Sequence, residues 1–210
     1  MIHNITKEEY IVNPCRISSL AYWKAISYSL PKNVEVIHAT DFNDKVESSD
    51  VEKYFRLIHD LKYIKKFEQN DYFIRTVDTK NEKELVAHIL SVCYQAEYDT
   101  KFIDHLMCTK VHDPNLWVLA IEKNTMLPVG LGIADFDSEV KEGSLEWVQV
   151  MPQQRGFGIG TLLVSELLQR LKVKADFVTT SGQVTNKMNP EGLYRKCGFK
   201  GADIWYIIRK

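Results

Sequence analysis

Cysteine is scarce and scattered: Cys15, Cys93, Cys108 and Cys197 show no Cys-x-x-Cys spacing, which speaks against a zinc site or a disulfide framework and predicts buried thiols in a reducing compartment. No apolar run approaches the ~20 residues of a membrane span. The opening Met1-Ile-His-Asn-Ile-Thr-Lys-Glu-Glu has no basic segment followed by an apolar stretch, so a soluble cytoplasmic protein is expected, and the formal sequon Asn4-Ile5-Thr6 reads as chance. An excess of either charge is also missing. Lys+Arg at 27 against Asp+Glu at 28 leaves a net charge of -1, so no basic field advertises nucleic acid or an anionic membrane, and neither is expected as a partner. None of the six histidines, His3, His38, His59, His88, His105 and His112, falls into a metal-like or triad-like spacing, so no metal is expected.

What is present is enough apolar material, 45% of 210 residues, for one packed core or for one domain plus an extension. With no repeat, low-complexity tract or Gly/Ser linker to mark a boundary, the division is placed near Asn70, where a regular alternation of elements begins. Before it, Asn33 to His38 alternates like a strand. Ser49-Asp50 reads as a cap ahead of a helix with Val51, Tyr54, Phe55, Ile58 and Leu61 on one face. The aromatic stretch Leu20-Ala21-Tyr22-Trp23 reads as packing residues before a substrate cleft.

After Asn70, strands are predicted at Tyr72 to Val77, Leu116 to Glu122, Val129 to Phe136, Leu145 to Met151, Phe177 to Thr180 and Asp203 to Ile208. Helices are predicted at Glu82 to Ala96, with Leu85, Ile89, Val92, Cys93 and Ala96 inward, and at Thr100 to Cys108, with Phe102, Ile103, Leu106 and Met107 inward. Two more follow, one carrying Leu163, Val164, Leu167, Leu168 and Leu171, the other starting at Pro190. The order is that of a mixed α/β fold.

The chemistry concentrates in Val148-Gln-Val-Met-Pro-Gln-Gln-Arg-Gly-Phe-Gly-Ile-Gly-Thr-Leu-Leu-Val164, where a strand runs through a glycine-rich turn into an amphipathic helix. Glycine allows close backbone approach, and the first-turn N–H groups of the helix lack intrahelical partners, so the turn suits a pyrophosphate. The spacing rejects two nucleotide motifs. A dinucleotide fingerprint needs a third glycine where Leu163 or Thr161 stands, and a Walker loop needs Gly-Lys-Ser/Thr.

What remains, Arg155-Gly-Phe-Gly158-Ile-Gly160, resembles the Arg/Gln-x-x-Gly-x-Gly/Ala signature of the Gcn5-related N-acetyltransferase (GNAT) family. Leu193-Tyr-Arg-Lys-Cys-Gly-Phe199 resembles the family's second motif, Leu-Tyr-x-x-x-Gly-Phe, and follows after one helix and one strand as it should. The resemblance covers residues 71–210 and leaves 1–70 as an extension, expected to pack on the core. It implies the GNAT fold, a mixed central sheet with splayed middle strands flanked by helices, and direct transfer of an acetyl group from acetyl-CoA to an amine.

By the same resemblance, Val148, Gln149 and Val150 would hold the pantetheine and polarise the thioester. Gln154, Arg155, Gly156, Phe157, Gly158, Ile159, Gly160 and Thr161 would cradle the pyrophosphate, with Arg155 either supporting that loop or solvating the turn. Asn186 would bond the pantetheine, Glu146 would act as general base and Tyr194 as the acid for the leaving thiolate. Cys197 has no histidine near it in sequence and reads as core, which favours direct transfer over an acyl-enzyme. The acceptor, a small-molecule or protein amine, is not identified. A homodimer is compatible with such a fold, and the alternative function is a catalytically silent CoA-binding sensor or interaction module.

Overall fold

The structure is a computed structural model and describes residues 5–43 and 50–210. Asn4 of the sequon and Ser49 of the expected cap lie outside the described residues. Along the chain the elements are α1 (Lys7–Val12), α2 (Pro14–Ile17), α3 (Tyr22–Ser27), β1 (Val34–His38), β2 (Asp50–His59), β3 (Tyr72–Thr76), α4 (Lys83–Tyr94) and α5 (Thr100–Met107). They continue with β4 (Trp117–Glu122), β5 (Pro128–Asp137), β6 (Glu142–Val150), α6 (Ile159–Leu171), β7 (Phe177–Gln183), α7 (Pro190–Lys196) and β8 (Lys200–Arg209). This is the expected mixed α/β fold, an open mixed sheet flanked by helices. It forms two compact units, one of the residues up to Asp60 with Thr179–Lys210, the other of Leu61–Val178. Strand order is β1-β8-β2-β7 in the first and β6-β5-β4-β3 in the second.

In the first unit the last strand is the organiser. β8 pairs antiparallel with β1 from Val34↔Arg209 to His38↔Trp205 and with β2 from Asp50↔Arg209 to Arg56↔Asp203. The segment expected to be a helix from Asp50 is therefore the strand β2. Its apolar residues do recur at helical spacing, but Phe55, Arg56 and Leu57 are buried in succession, as in a strand covered on both faces. The polar residues Arg56 and His59 at buried positions hid that pattern, and Val, Tyr, Phe and Ile favour a strand. Tyr22 packs on Tyr10 with ring centroids 5.2 Å apart, both rings buried.

The second unit is a four-strand antiparallel meander, β3-β4-β5-β6, with helices on both faces. Alternation along β4 sorts its side chains: Trp117, Leu119 and Ile121 join Val86, Ile89, Leu90 and Ile103 of α4 and α5 in one cluster. Val118 faces α6 instead. A Cβ at Gly132 would stand 3.0 Å from Val118 and 3.1 Å from Leu167, so α6 lies against β5 at a distance only glycine permits. All five apolar residues predicted for this helix are buried.

The stripe of α4 is rotated from the expected one. Val86, Ala87, Ile89 and Leu90 are buried, while Leu85 is only partly covered and Ala96 is exposed beyond the helix end, where Gln95 turns left-handed at φ 54°. Both stripes are apolar in the sequence, and contact with the sheet decides between them. Cys108, expected buried, is exposed; Cys15 and Cys197 are buried and Cys93 partly so, all four free thiols.

Arg56 ties the first unit together. Its guanidinium, 3% exposed, donates to the Tyr10 hydroxyl (2.8 Å), Thr179 Oγ1 (3.2 Å), Ser181 Oγ (3.0 Å) and the Ser19 carbonyl (3.3 Å). A buried charge persists only where such bonds replace its water. Arg56→Ala strips those partners and is expected to lower stability by about 3 kcal/mol. Arg209→Ala, which removes ion pairs to Asp50 and Glu52 at a solvent-exposed arginine, should leave it nearly unchanged; urea unfolding of the two variants checks both outcomes.

Candidate active site

The second unit carries β6 and the glycine turn. Pairing across β5 and β6 sets Ile133 against Trp147 but Ala134 against Leu145, so Glu146 is the extra residue of a β-bulge. A bulge frees its residue from the ladder and re-aims its side chain. Glu146 is half-buried and its Oε1 accepts a hydrogen bond of 2.8 Å from Ser144 Oγ.

Beyond the bulge the ladder fixes which amides are available. Met151 N–H donates to Val129 O at 2.9 Å, and backbone direction alternates along an antiparallel strand. Gln149 N–H therefore points toward β5, whereas the amides of Val148 and Val150 point away from it. The Gln149 side chain donates to the Tyr94 hydroxyl at 2.8 Å. Of the three residues expected to hold the pantetheine, Val148 and Val150 present backbone donors on the side away from β5.

After Val150 the chain makes a 3₁₀ turn at Pro152–Gln154 and then the glycine turn. Gly156 and Gly158 stand at φ +87° and +81°, values that disfavour any side chain. Gly158 is the N-cap of α6 and offers no side-chain acceptor, so the first-turn amides of Ile159, Gly160 and Thr161 are left for an external anion. A Cβ at Gly156 would meet nothing within 4 Å. This cradle of backbone N–H at a helix N-terminus, open on the Gly156 side, fits a pyrophosphate. Thr161 Oγ1 donates to Gly158 O at 2.6 Å and stiffens the turn, while Phe157 is 59% exposed.

Two side chains of the loop turn inward. Gln154 Oε1 accepts from the Tyr72 hydroxyl at 3.1 Å. Arg155 Nε donates to Val150 O at 3.1 Å, lashing the loop to the end of β6. Cys93 Sγ bonds the same carbonyl at 3.5 Å; burial pushes this thiol's pKa up, and the adjacent Arg155 guanidinium opposes the push. Sequence reasoning missed Gln69. Its Nε2 lies 2.5 Å from where a Cβ on Gly158 would stand, and Ser165 Oγ donates to Lys65 O at 2.8 Å, so the segment before β3 runs along the start of α6. Nothing in the motif, about ninety residues later, signals that contact.

Tyr194 and Asn186 belong to the first unit. Asn189 Oδ1 accepts from Gly192 N–H at 3.0 Å and Pro190 follows at the first helical position, the N-cap expected for α7. Tyr194 is 7% exposed, with Phe199 at 5.6 Å and Phe55 at 6.2 Å between ring centroids. Asn186 is exposed and its Oδ1 accepts from Met188 N–H at 2.9 Å, an Asx turn of the loop before α7.

Beneath α7 sits His59, 2% exposed and edge-on to Phe199 at 5.3 Å. Burial holds its pKa below the ordinary 6.5, against the opposing effects of Asp60 and the Cys197 backbone. The folded state thus keeps His59 neutral where the unfolded chain takes up a proton. Its full contribution is present above pH ~6.5 and is lost as pH falls below that value, at up to about 1.4 kcal/mol per pH unit. His112, lowered by burial in the second unit, acts in the same direction. Urea unfolding at pH 7.5 and 5.5 should show a loss of stability at the lower pH, and His59→Gln should remove its share of that loss.

A family model described as the Acetyltransferase (GNAT) family matches residues 82–199. Among solved structures, a GCN5-related N-acetyltransferase from Sphaerobacter thermophilus is similar at a TM-score of 0.66 and 19% identity, over 78% of this chain and 52% of that one. The Ard1 protein of Thermoplasma volcanium is similar at 0.53 and 18%, over 66% of this chain and 97% of that one. A chain of the NatC complex bound to Gag peptide and CoA gives 0.51 and 15%, over 67% and 99%. At these identities the likeness is one of fold, and the chain spans about half the length of the Sphaerobacter protein. No curated protein matches it. Because the family model covers more than half of the sequence, including both the glycine turn and the Leu193 to Phe199 motif, this chain belongs to the GNAT acetyltransferase family.

Proposed function

We propose that this protein is a cytoplasmic N-acetyltransferase that moves an acetyl group from acetyl-CoA directly to an amine, a small molecule's or a protein's. The observation that carries the reading is the glycine turn, in which two left-handed glycines expose the first-turn amides of α6 to an anion. CoA in the complex with NatC supports the choice of cofactor by likeness of fold. Bound acetyl-CoA supplies an activated thioester; the chain supplies position and proton transfer.

The amides of Ile159 to Thr161 hold the pyrophosphate, and Gln154 and Arg155 brace the loop that presents them. Val148 and Val150 N–H orient the pantetheine and polarise the carbonyl, a contribution of roughly 3 kcal/mol per donor. Glu146, freed from the ladder by the bulge, removes a proton from the incoming ammonium, since only the neutral amine attacks. Tyr194 protonates the departing sulfur. Residues 1–70 form a subfamily extension, and the pairing of β1 and β2 with β8 supports their role as part of the packed fold.

The burial of Tyr194 among Phe55 and Phe199 favours one competitor, a silent CoA-binding module in which this ring serves packing alone. Thiol release from acetyl-CoA across a broad panel of amines separates the two. The enzyme reading predicts turnover, a fall in kcat of roughly 100-fold for Tyr194→Phe with the fold intact, and for Glu146→Gln a loss that narrows as pH rises and the amine deprotonates unaided. Acetyl-CoA binding without transfer to any amine would establish the silent module instead.

A further inference from the structure

Four aromatic rings gather where α4, α5 and β6 meet: Tyr94 at the end of α4, Tyr98 in the connection, Phe102 in α5 and Trp147 in β6. Trp147 stands edge-on to Tyr94 at 5.4 Å, Tyr98 at 5.9 Å and Phe102 at 5.8 Å, and Tyr98 meets Phe102 at 4.9 Å. In the core beneath them, side chains such as Leu90, Ile103 and Leu131 are sealed from solvent. The rings are not: Tyr94 is 44% exposed, and the other three are partly covered members of the cluster's margin. Large aromatic surface left open at one spot is a feature of binding sites.

The wall is rigid. Ser91 Oγ accepts from Tyr98 N–H at 3.0 Å and donates to Ala87 O, Gln149 Nε2 donates to the Tyr94 hydroxyl, and Asp99 caps α5 at Phe102 N–H. Its place is also set. Trp147 lies between Glu146 at the bulge and Val148 with its outward amide, at about 3.3 Å of strand per residue. The connection beside it, Gln95-Ala-Glu-Tyr-Asp99, carries two carboxylates, of which Asp99 caps α5.

We infer that this wall is the acceptor subsite of the proposed transferase and that it selects a hydrophobic primary amine of the arylalkyl type. The inference rests on the acetyltransferase reading above. The π faces attract an ammonium group and stack the adjoining ring, and the carboxylates add to the attraction. Aminosugars and anionic amino acids lack a ring to stack, and their hydroxyls or second carboxylate would be desolvated against ring faces, which return no hydrogen bonds.

The test measures kcat/KM for phenethylamine, glucosamine and glutamate, with acetyl-CoA affinity measured separately by calorimetry. Phenethylamine should exceed the other two by at least roughly 10-fold. Tyr94→Ala, at an exposed position that folding tolerates, and Trp147→Ala should each lower its kcat/KM by a similar factor with acetyl-CoA affinity unchanged, and Trp147→Phe should restore most of the loss. Acetyl-CoA binding with no transfer to phenethylamine, with equal use of glucosamine or glutamate, or with Tyr94→Ala slowing every acceptor alike overturns the inference while leaving the transferase reading intact. Failure to bind acetyl-CoA overturns both.

Discussion

The candidate site depends on one backbone constraint, the left-handed turn of Gly156 and Gly158 that delivers the chain into α6. Helix N-terminal amides attract anions in any protein, but they bind well only where the helix is held still and nothing covers its end. Here α6 is seated on β5 at a distance set by Gly132, and its buried leucines fix its rotation. Arg155 clamps the turn to the last carbonyl of β6, Val150, so the turn and the outward amides of Val148 and Val150 share one rigid frame. A left-handed residue with a side chain at Gly158 would strain the turn and press on Gln69.

The chemistry is laid on that frame by a second departure from regularity, the bulge at Glu146. Without it Glu146 would take its turn in the ladder, and the strand would offer no carboxylate released from strand geometry. In the first unit the comparable device is the buried guanidinium of Arg56, which fastens α1, the loop at Ser19 and β7 around the strand that also carries Phe55, the neighbour of Tyr194. Both are polar features placed inside apolar layers, and both cost stability unless every partner is in place.

The second unit and, in the first, the start of α7 were largely legible in the sequence, because their signals are local. The glycine turn, the cap at Asn189-Pro190 and the leucine stripe of α6 each need only a few neighbouring residues to be read, and each stands where the spacing put it. β2 was misread because its burial comes from both sides and is partly polar, so the period that separates strand from helix is erased. The rotation of α4 and the exposure of Cys108 depend on which of several apolar faces the sheet covers. Gln69 beside Gly158, Cys93 beside Arg155 and the ring cluster around Trp147 join residues dozens of positions apart, and no periodicity encodes such pairs.

The most direct measurement compares the affinities of acetyl-CoA and S-acetylpantetheine, which share the thioester arm and differ in the pyrophosphate and the 3′-phosphoadenosine it carries. If the glycine turn and the first amides of α6 form the cradle, acetyl-CoA binds in the micromolar range and the truncated thioester binds at least ~100-fold more weakly. Equal affinity for the two, or no binding of acetyl-CoA, would contradict the account.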